Sequence, residues 1–229
     1  MKNLNDITSE IKKILKDQWS VRYGEKVPET SDIKLGNDGV SLNATVLYAD
    51  LKESTKMVNT HSRQFAAEVY KSYLLACCEI IKNNDGVITA FDGDRVMAVY
   101  IGDCKNTNAV RTALQINYMV SEVINPAIKE IYDKEFQVKQ VVGIDTSELF
   151  VARTGIRGDN DLVWVGNAAN MAAKMCAIRN GNISTFISKD VFESIHDSAK
   201  YCNEVCMWKT FHWSEFSRNI YCSTYYWKV

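Results

Sequence analysis

No apolar stretch of this 229-residue chain approaches the roughly 20 residues that a bilayer-spanning helix needs. The start, Met1-Lys2-Asn3-Leu4-Asn5-Asp6, lacks the apolar core of a signal peptide, so the expected location is the cytoplasm. A surplus of one charge is missing too: 27 Lys and Arg face 28 Asp and Glu, for a formal net charge of -1. Without a basic excess or a long Lys/Arg run, neither nucleic acid nor an anionic membrane is expected as the main partner. There is no internal repeat and no low-complexity tract. A cysteine framework is also lacking. Cys77 and Cys78 are adjacent in a helical pattern, and Cys104, Cys176 and Cys222 are scattered. Only Cys202 and Cys206 have a spacing that metal ligands use, with no second Cys/His pair close behind, so reduced and mostly buried thiols are expected instead of zinc or disulfides. His61, His196 and His212 show no pairing that would suit general-base work.

What remains is enough for a full core, since 46% of the residues are hydrophobic, and the simplest organisation is one domain with an appended terminal segment. Ile7, Ile11, Ile14, Leu15 and Trp19 recur at helical spacing, which predicts an amphipathic helix over residues 6–22 that packs on the main domain or on a partner chain. The polar stretch from Glu25 to Asn43, with Pro28 and Gly36, reads as a connector, giving residues 1–40 as helix and connector and 41–229 as the main domain.

From Ala44 onwards β and α patterns alternate. A strand is predicted at 44–50, a helix from His61 to Asn83, and strands at Val87–Ala90 and Arg95–Ile101 around the hairpin tip Phe91-Asp92-Gly93-Asp94. A long helix from about Thr107 to Lys134 follows, with Pro126 bending it. Val138–Thr146 and Glu148–Arg153 read as a strand pair, then Leu162–Val165 as a strand and Asn167–Ile178 as a helix. The remainder predicts a strand at 183–187, a short helix at 189–195 and two apolar runs near 204–211 and 219–228. The order βαββαβ matches an α+β, ferredoxin-like palm with helices on one face, extended here by additional C-terminal strands and the N-terminal helix.

Two aspartates stand out in this pattern. Asp50 ends the apolar run Val46-Leu47-Tyr48-Ala49, and Asp94 sits at the tip of the later hairpin. If those strands lie side by side, two carboxylates meet at one sheet edge and form a site for hard divalent cations, which points to a metal-dependent enzyme acting on a phosphate-bearing substrate.

Over roughly residues 42–228 the chain resembles the class III nucleotidyl cyclases. The resemblance is carried by Val46–Thr55, Val87–Ile101, Val141–Thr154, Val163–Met175 and Trp208-Lys209, five segments in matching order and spacing. It implies that a nucleoside triphosphate is cyclised by attack of its 3′-hydroxyl on the α-phosphorus, with pyrophosphate leaving. By the same resemblance, Asp50 and Asp94 bind two Mg²⁺ or Mn²⁺ ions, with the Leu51 carbonyl as a further ligand. Asn170 orients the ribose. Lys174 stands where the family has an arginine that neutralises the pentavalent phosphate, keeping the charge but not the bidentate fork. Lys209 matches a lysine aimed at the β- and γ-phosphates. The phosphate loop departs from the pattern: Lys52-Glu53-Ser54-Thr55 has no glycine, although Ser54 and Thr55 can cap the next helix and offer N–H groups to an anion. The resemblance also implies a homodimer in which the aspartates come from one subunit and the Asn and basic helix from the other.

At the family's two base-reading positions this chain has Ala90 and Val163, neither of which can hydrogen-bond to a base. That leaves a cyclase that has lost activity or one adapted to a smaller base, and the presence of Asp50, Asp94 and Asn170 favours the second. The combination resembles the pyrimidine cyclases of bacterial Pycsar antiphage systems. It implies UTP or CTP as substrate, with UTP slightly preferred, cyclic UMP or cyclic CMP as product, and a separate effector switched on by that product. Tyr48, Arg95 and Trp164 are the candidates for filling the space of a purine. An adenylate cyclase with an unusual pocket and a catalytically silent cyclase-like module are the alternatives. A palm-type polymerase or dinucleotide cyclase is disfavoured, because Gly-Gly-Asp/Glu-Glu-Phe and basic template-binding segments are missing.

Overall fold

The computed structural model describes residues 2–132 and 136–229. Its N-terminal helix α1 (Leu4–Lys16) starts from a reciprocal capping box between Asn3 and Asp6. The helix ends before Trp19, which instead meets Phe150 edge-on at 5.0 Å, while the next residues form a short strand, β1 (Ser20–Tyr23). The apolar stripe of α1 is exposed along its length, so of the two expected placements it does not take the one on the main domain. The Asn37 side-chain amide ties the end of the helix down by donating to the carbonyls of Ile14 and Asp17.

The palm is built from β2 (Asp38–Leu51), the short α2 (Ser54–Thr60), α3 (Arg63–Asn83), the hairpin β3 (Val87–Asp92) and β4 (Arg95–Tyr100), and α4 (Lys105–Tyr118). Ser62 caps α3 by accepting from the Phe65 N–H. After α4 a π-helical turn (Met119–Ile124) leads into α5 (Asn125–Tyr132). The Asn125 N–H bonds five residues back to Val120, so the widened turn sits directly before Pro126 and takes up the bend expected of that proline. Residues 133–134 of the predicted long helix lie outside the described residues.

The predicted strand pair over 138–153 is a single strand, β5 (Gln140–Ile156). It runs antiparallel to β2 from Gly39↔Ala152 to Leu51↔Gln140, and that ladder holds Ser147 extended where a turn was expected. The Ser147 hydroxyl instead accepts the N–H of Ala168. β6 (Asp159–Val165) folds back on β5, followed by α6 (Asn167–Cys176), β7 (Thr185–Ile187) and α7 (Lys189–Ser194), which Ser188 caps. A small hairpin of β8 (Tyr201–Cys202) and β9 (Val205–Cys206) precedes β10 (Lys209–Trp213) and β11 (Arg218–Ser223).

The main sheet has the order β10-β11-β7-β5-β2-β4-β3, with β1 added beside β2 and β6 beside β5. Strand alternation divides the core into two layers. Leu47, Ala49, Leu51, Val96, Ala98 and Tyr100 pack with α3 and α4 on one face. Val46, Met97, Val99, Leu149 and Val151 meet Ala168, Ala169 and Ala172 of α6 on the other, so the helices do not all lie on one face as expected. Gly143 on β5 lets α6 come this close, because a Cβ there would stand 2.2 Å from the Ala172 carbonyl oxygen. The α6 helix lies mainly over β5 and β2.

Candidate active site

β2 and β4 are hydrogen-bonded neighbours, and their register, Tyr48↔Met97 and Ala49↔Val96, sets Asp50 beside the Arg95 end of the hairpin. The two-residue turn Gly93-Asp94 closes that hairpin, with Gly93 at φ +61, a conformation that glycine adopts without a Cβ penalty. Asp50 and Asp94 therefore come to one end of the sheet. Partial burial, then the nearby Asp94 charge, pushes the Asp50 carboxyl above its ordinary pKa. Arg179 opposes the shift: its Nη2 donates to Asp50 Oδ2 at 3.1 Å. Asp94 Oδ2 is buried, and among the described residues no donor reaches it.

This donor set suits a hard divalent cation. It offers two carboxylates, one with an unpartnered buried oxygen, and only the backbone of Leu51, whose side chain is in the core. Among the described residues no group of three or more His, Cys, Asp or Glu side chains that could hold a metal ion is found, so the protein's own donors at this edge are the two carboxylates and the Leu51 carbonyl.

The phosphate loop differs from expectation in one respect. Ser54 and Thr55 open α2 as helical residues and cap nothing; the cap position belongs to Glu53, at φ +59. A side chain there costs about 1 kcal/mol against glycine, so the loop keeps a left-handed turn although its glycine is missing. Burial, followed by the Asp94 charge, raises the pKa of Tyr70 on α3, and Ser54 opposes the shift. Lys52 points away from the loop: its ammonium donates to the carbonyls of Ile183 at 2.6 Å and Gly181 at 3.2 Å, and burial lowers its pKa to about 8.

Of the base-pocket candidates, Tyr48 and Arg95 come together, the guanidinium carbon lying 5.3 Å from the ring centre. Arg95 also pairs with Asp92 at 2.7 Å, and its buried Nε–H has no acceptor among the described residues. Burial raises the Tyr48 pKa, with Arg95 opposing. Ala90 lies just past a bulge in β3 that follows Ile88. Trp164 faces inward with Leu162 against the α6-side core, while Val163 is exposed on the other side of β6.

Asn170 and Lys174 share the exposed face of α6. Lys174 pairs with Glu215 at 3.3 Å and lies over the Phe216 ring, both in the turn between β10 and β11. Lys209 is exposed at the other end of β10. Arg179, Glu215 and Tyr70 were not singled out in the sequence. Arg179 carries no local signal, because its partner lies 129 positions away. A cavity of about 610 Å³ between α3 and α5 is lined by Leu75, Val123 and Ile131 among others and holds none of the predicted site residues.

The adenylyl cyclase CyaB from P. aeruginosa superposes with a TM-score of 0.68 at 18% identity, over 81% of this chain and 95% of that one. The fold is thus that of a class III nucleotidyl cyclase catalytic domain. No family model matches the chain. It is 48% identical to a uridylate cyclase of Burkholderia cepacia over 93% of both chains, and 43% identical to one of Xanthomonas perforans over 98% of both. The chain belongs to the uridylate cyclase family.

Proposed function

We propose that the protein converts UTP to 3′,5′-cyclic UMP and pyrophosphate, with Asp50 and Asp94 as the metal ligands and Asn170 and Lys174 supplied by the second subunit of a homodimer. The observation that carries this reading is the meeting of two carboxylates at one sheet edge, one with a buried oxygen that no described residue satisfies, in a chain of this family. Bound there, two Mg²⁺ or Mn²⁺ ions lower the pKa of the 3′-hydroxyl and hold the departing phosphates. The protein's own part is positioning and charge. Asp50 and Asp94 hold the cations through carboxylate oxygens, with the Leu51 carbonyl as a further donor. Asn170 orients the ribose so that its 3′-oxygen faces the α-phosphorus, and Lys174 neutralises charge on the pentavalent phosphate. Lys209 and the backbone around Ser54 and Thr55 take the β- and γ-phosphates. The 3′-oxygen bonds to phosphorus, the bond to the bridging oxygen breaks, and the hydroxyl proton passes to water.

For the base, Tyr48 and Arg95 fill the space where a purine would need room, and the unpartnered Nε–H of Arg95 offers a donor. Uracil presents a carbonyl oxygen where cytosine carries an amino group, so a donor-only guanidinium suits UTP better than CTP. Homodimerisation fits the placing of Asn170 and Lys174 on the exposed face of α6, where a second subunit can be reached. The product is a diffusible second messenger that a separate effector reads in defence against phage.

Incubation with each of the four ribonucleoside triphosphates and Mn²⁺, with mass spectrometry of the products, tests the reading. Cyclic UMP is expected, and cyclic AMP as sole product would overturn it. Asp50→Ala and Asp94→Ala should each lower turnover by about 10³-fold or more while the far-UV circular dichroism is unchanged. Full turnover in either would show that the carboxylates do not hold the catalytic metal.

A further inference from the structure

The segment after α6 lies against the aspartate end of β2 and is fastened there twice. Arg179 reaches Asp50 Oδ2 from one end, while its Nη1 donates back to the Cys176 carbonyl at 2.8 Å. From β2, Lys52 donates to the carbonyls of Gly181 and Ile183. The other guanidinium near the aspartates, that of Arg95, is paired with Asp92. Among the described residues Arg179 is therefore the only cationic side chain hydrogen-bonded to either Asp50 or Asp94. It is also readily released, because its side chain is 42% exposed, against 21% for Asp50.

We propose that Arg179 is a built-in counter-ion of the metal site, holding Asp50 in the nucleotide-free protein and competing with the divalent cation for the same carboxylate oxygen. The inference rests on the reading of Asp50 and Asp94 as metal ligands. A guanidinium hydrogen-bonded to Asp50 Oδ2 takes up one of its lone pairs and sets a positive charge beside it, so a free cation must either displace Arg179 or bind against its charge. The apparent affinity is then the intrinsic one reduced by the fraction of molecules in which the pair is open. A cation that arrives with a triphosphate brings phosphate oxygens as further ligands and overcomes the pair more easily. Arg179 thus biases the site against bare cation and towards the cation–nucleotide complex.

The test is direct Mn²⁺ titration of the nucleotide-free protein, with free Mn²⁺ read by electron paramagnetic resonance. Arg179→Ala should bind Mn²⁺ about two- to fivefold more tightly than the wild type, the range of an exposed ion pair. Arg179→Lys, which keeps the charge, should remain near wild type. With a non-hydrolysable UTP analogue present, the gain in Arg179→Ala should shrink. Unchanged or weaker Mn²⁺ binding in Arg179→Ala would overturn the proposal. Asp94→Asn separates the two levels: if it leaves wild-type Mn²⁺ binding intact, the metal reading itself fails and takes this inference with it. If it abolishes binding while Arg179→Ala changes nothing, only the role of Arg179 is wrong.

Discussion

At the residue scale, burial and charge set what each carboxylate can do. Asp50 and Asp94 stand at an accessible sheet end, whereas Asp145 on β5 is 3% exposed and serves the fold. Burial raises the Asp145 pKa, and the nearby Asp190 adds to the shift. A hydrogen bond from Ser188, the Thr146 N–H and the charge of Arg218 oppose it. Because the folded state binds this proton more tightly than the unfolded chain, the associated stability is present at low pH and is lost as pH rises through the raised value. Asp145→Asn removes the buried charge while its carbonyl can still accept the Thr146 N–H. It should therefore stabilise the protein near neutrality, and the advantage should vanish as pH falls and Asp145 takes up its proton in the folded protein. Urea unfolding near neutrality and at low pH reads this, and a constant difference would contradict it. Tyr48 and Arg95 show the limits of residue type as a guide: the sequence offered three bulky candidates for the base, and only the fold showed that Arg95 lies over the Tyr48 ring while Tyr48 and Trp164 pack against the same core.

At the element scale, α6 matters most, because it presents Asn170 and Lys174 and leads into Arg179. Its depth is set by Gly143, beneath which no side chain fits: a Cβ would meet the Ala172 carbonyl oxygen at 2.2 Å and the Cys176 nitrogen at 2.5 Å. These are backbone atoms, so the helix itself must lift. Gly143→Ala should cost about 1–3 kcal/mol of stability and also reduce turnover, measured as melting temperature and as cyclic UMP formed at a temperature where the variant is folded. A loss of stability with full activity would show that the position of α6 is not critical to the reaction. The elements legible in the sequence were those whose signals are local. The α3 helix shows helical spacing from its Ser62 cap to Asn83, and the β3–β4 hairpin turns on Gly93. β5 was split in two because Ser147 and its polar neighbours look like a turn; the long partner strand β2 keeps them extended.

At the scale of the whole molecule, the proposed division of the site between subunits can be tested without a structure of the dimer. Asp50→Ala and Asn170→Ala should each be inactive alone. Mixed and allowed to exchange subunits, they should recover about a quarter of wild-type activity: half of the dimers are mixed, and each of these holds one intact site of two. No recovery on exchange confirmed by differently tagged subunits would place both sets of residues in one chain. The exposed apolar stripe of α1 is a surface that a single chain leaves open.

The amino-acid sequence by itself determined the palm's element order and the placing of Asp50 and Asp94 at strand end and hairpin tip. Strand alternation, helical spacing and turn residues act over a few neighbouring positions. Only the tertiary structure decided that Arg179 closes on Asp50, that Lys174 is held by Glu215, and that α6 lies on the sheet face opposite α3 and α4. Those contacts join residues far apart along the chain, and their geometry follows from sheet pairing and packing, for which no local pattern exists.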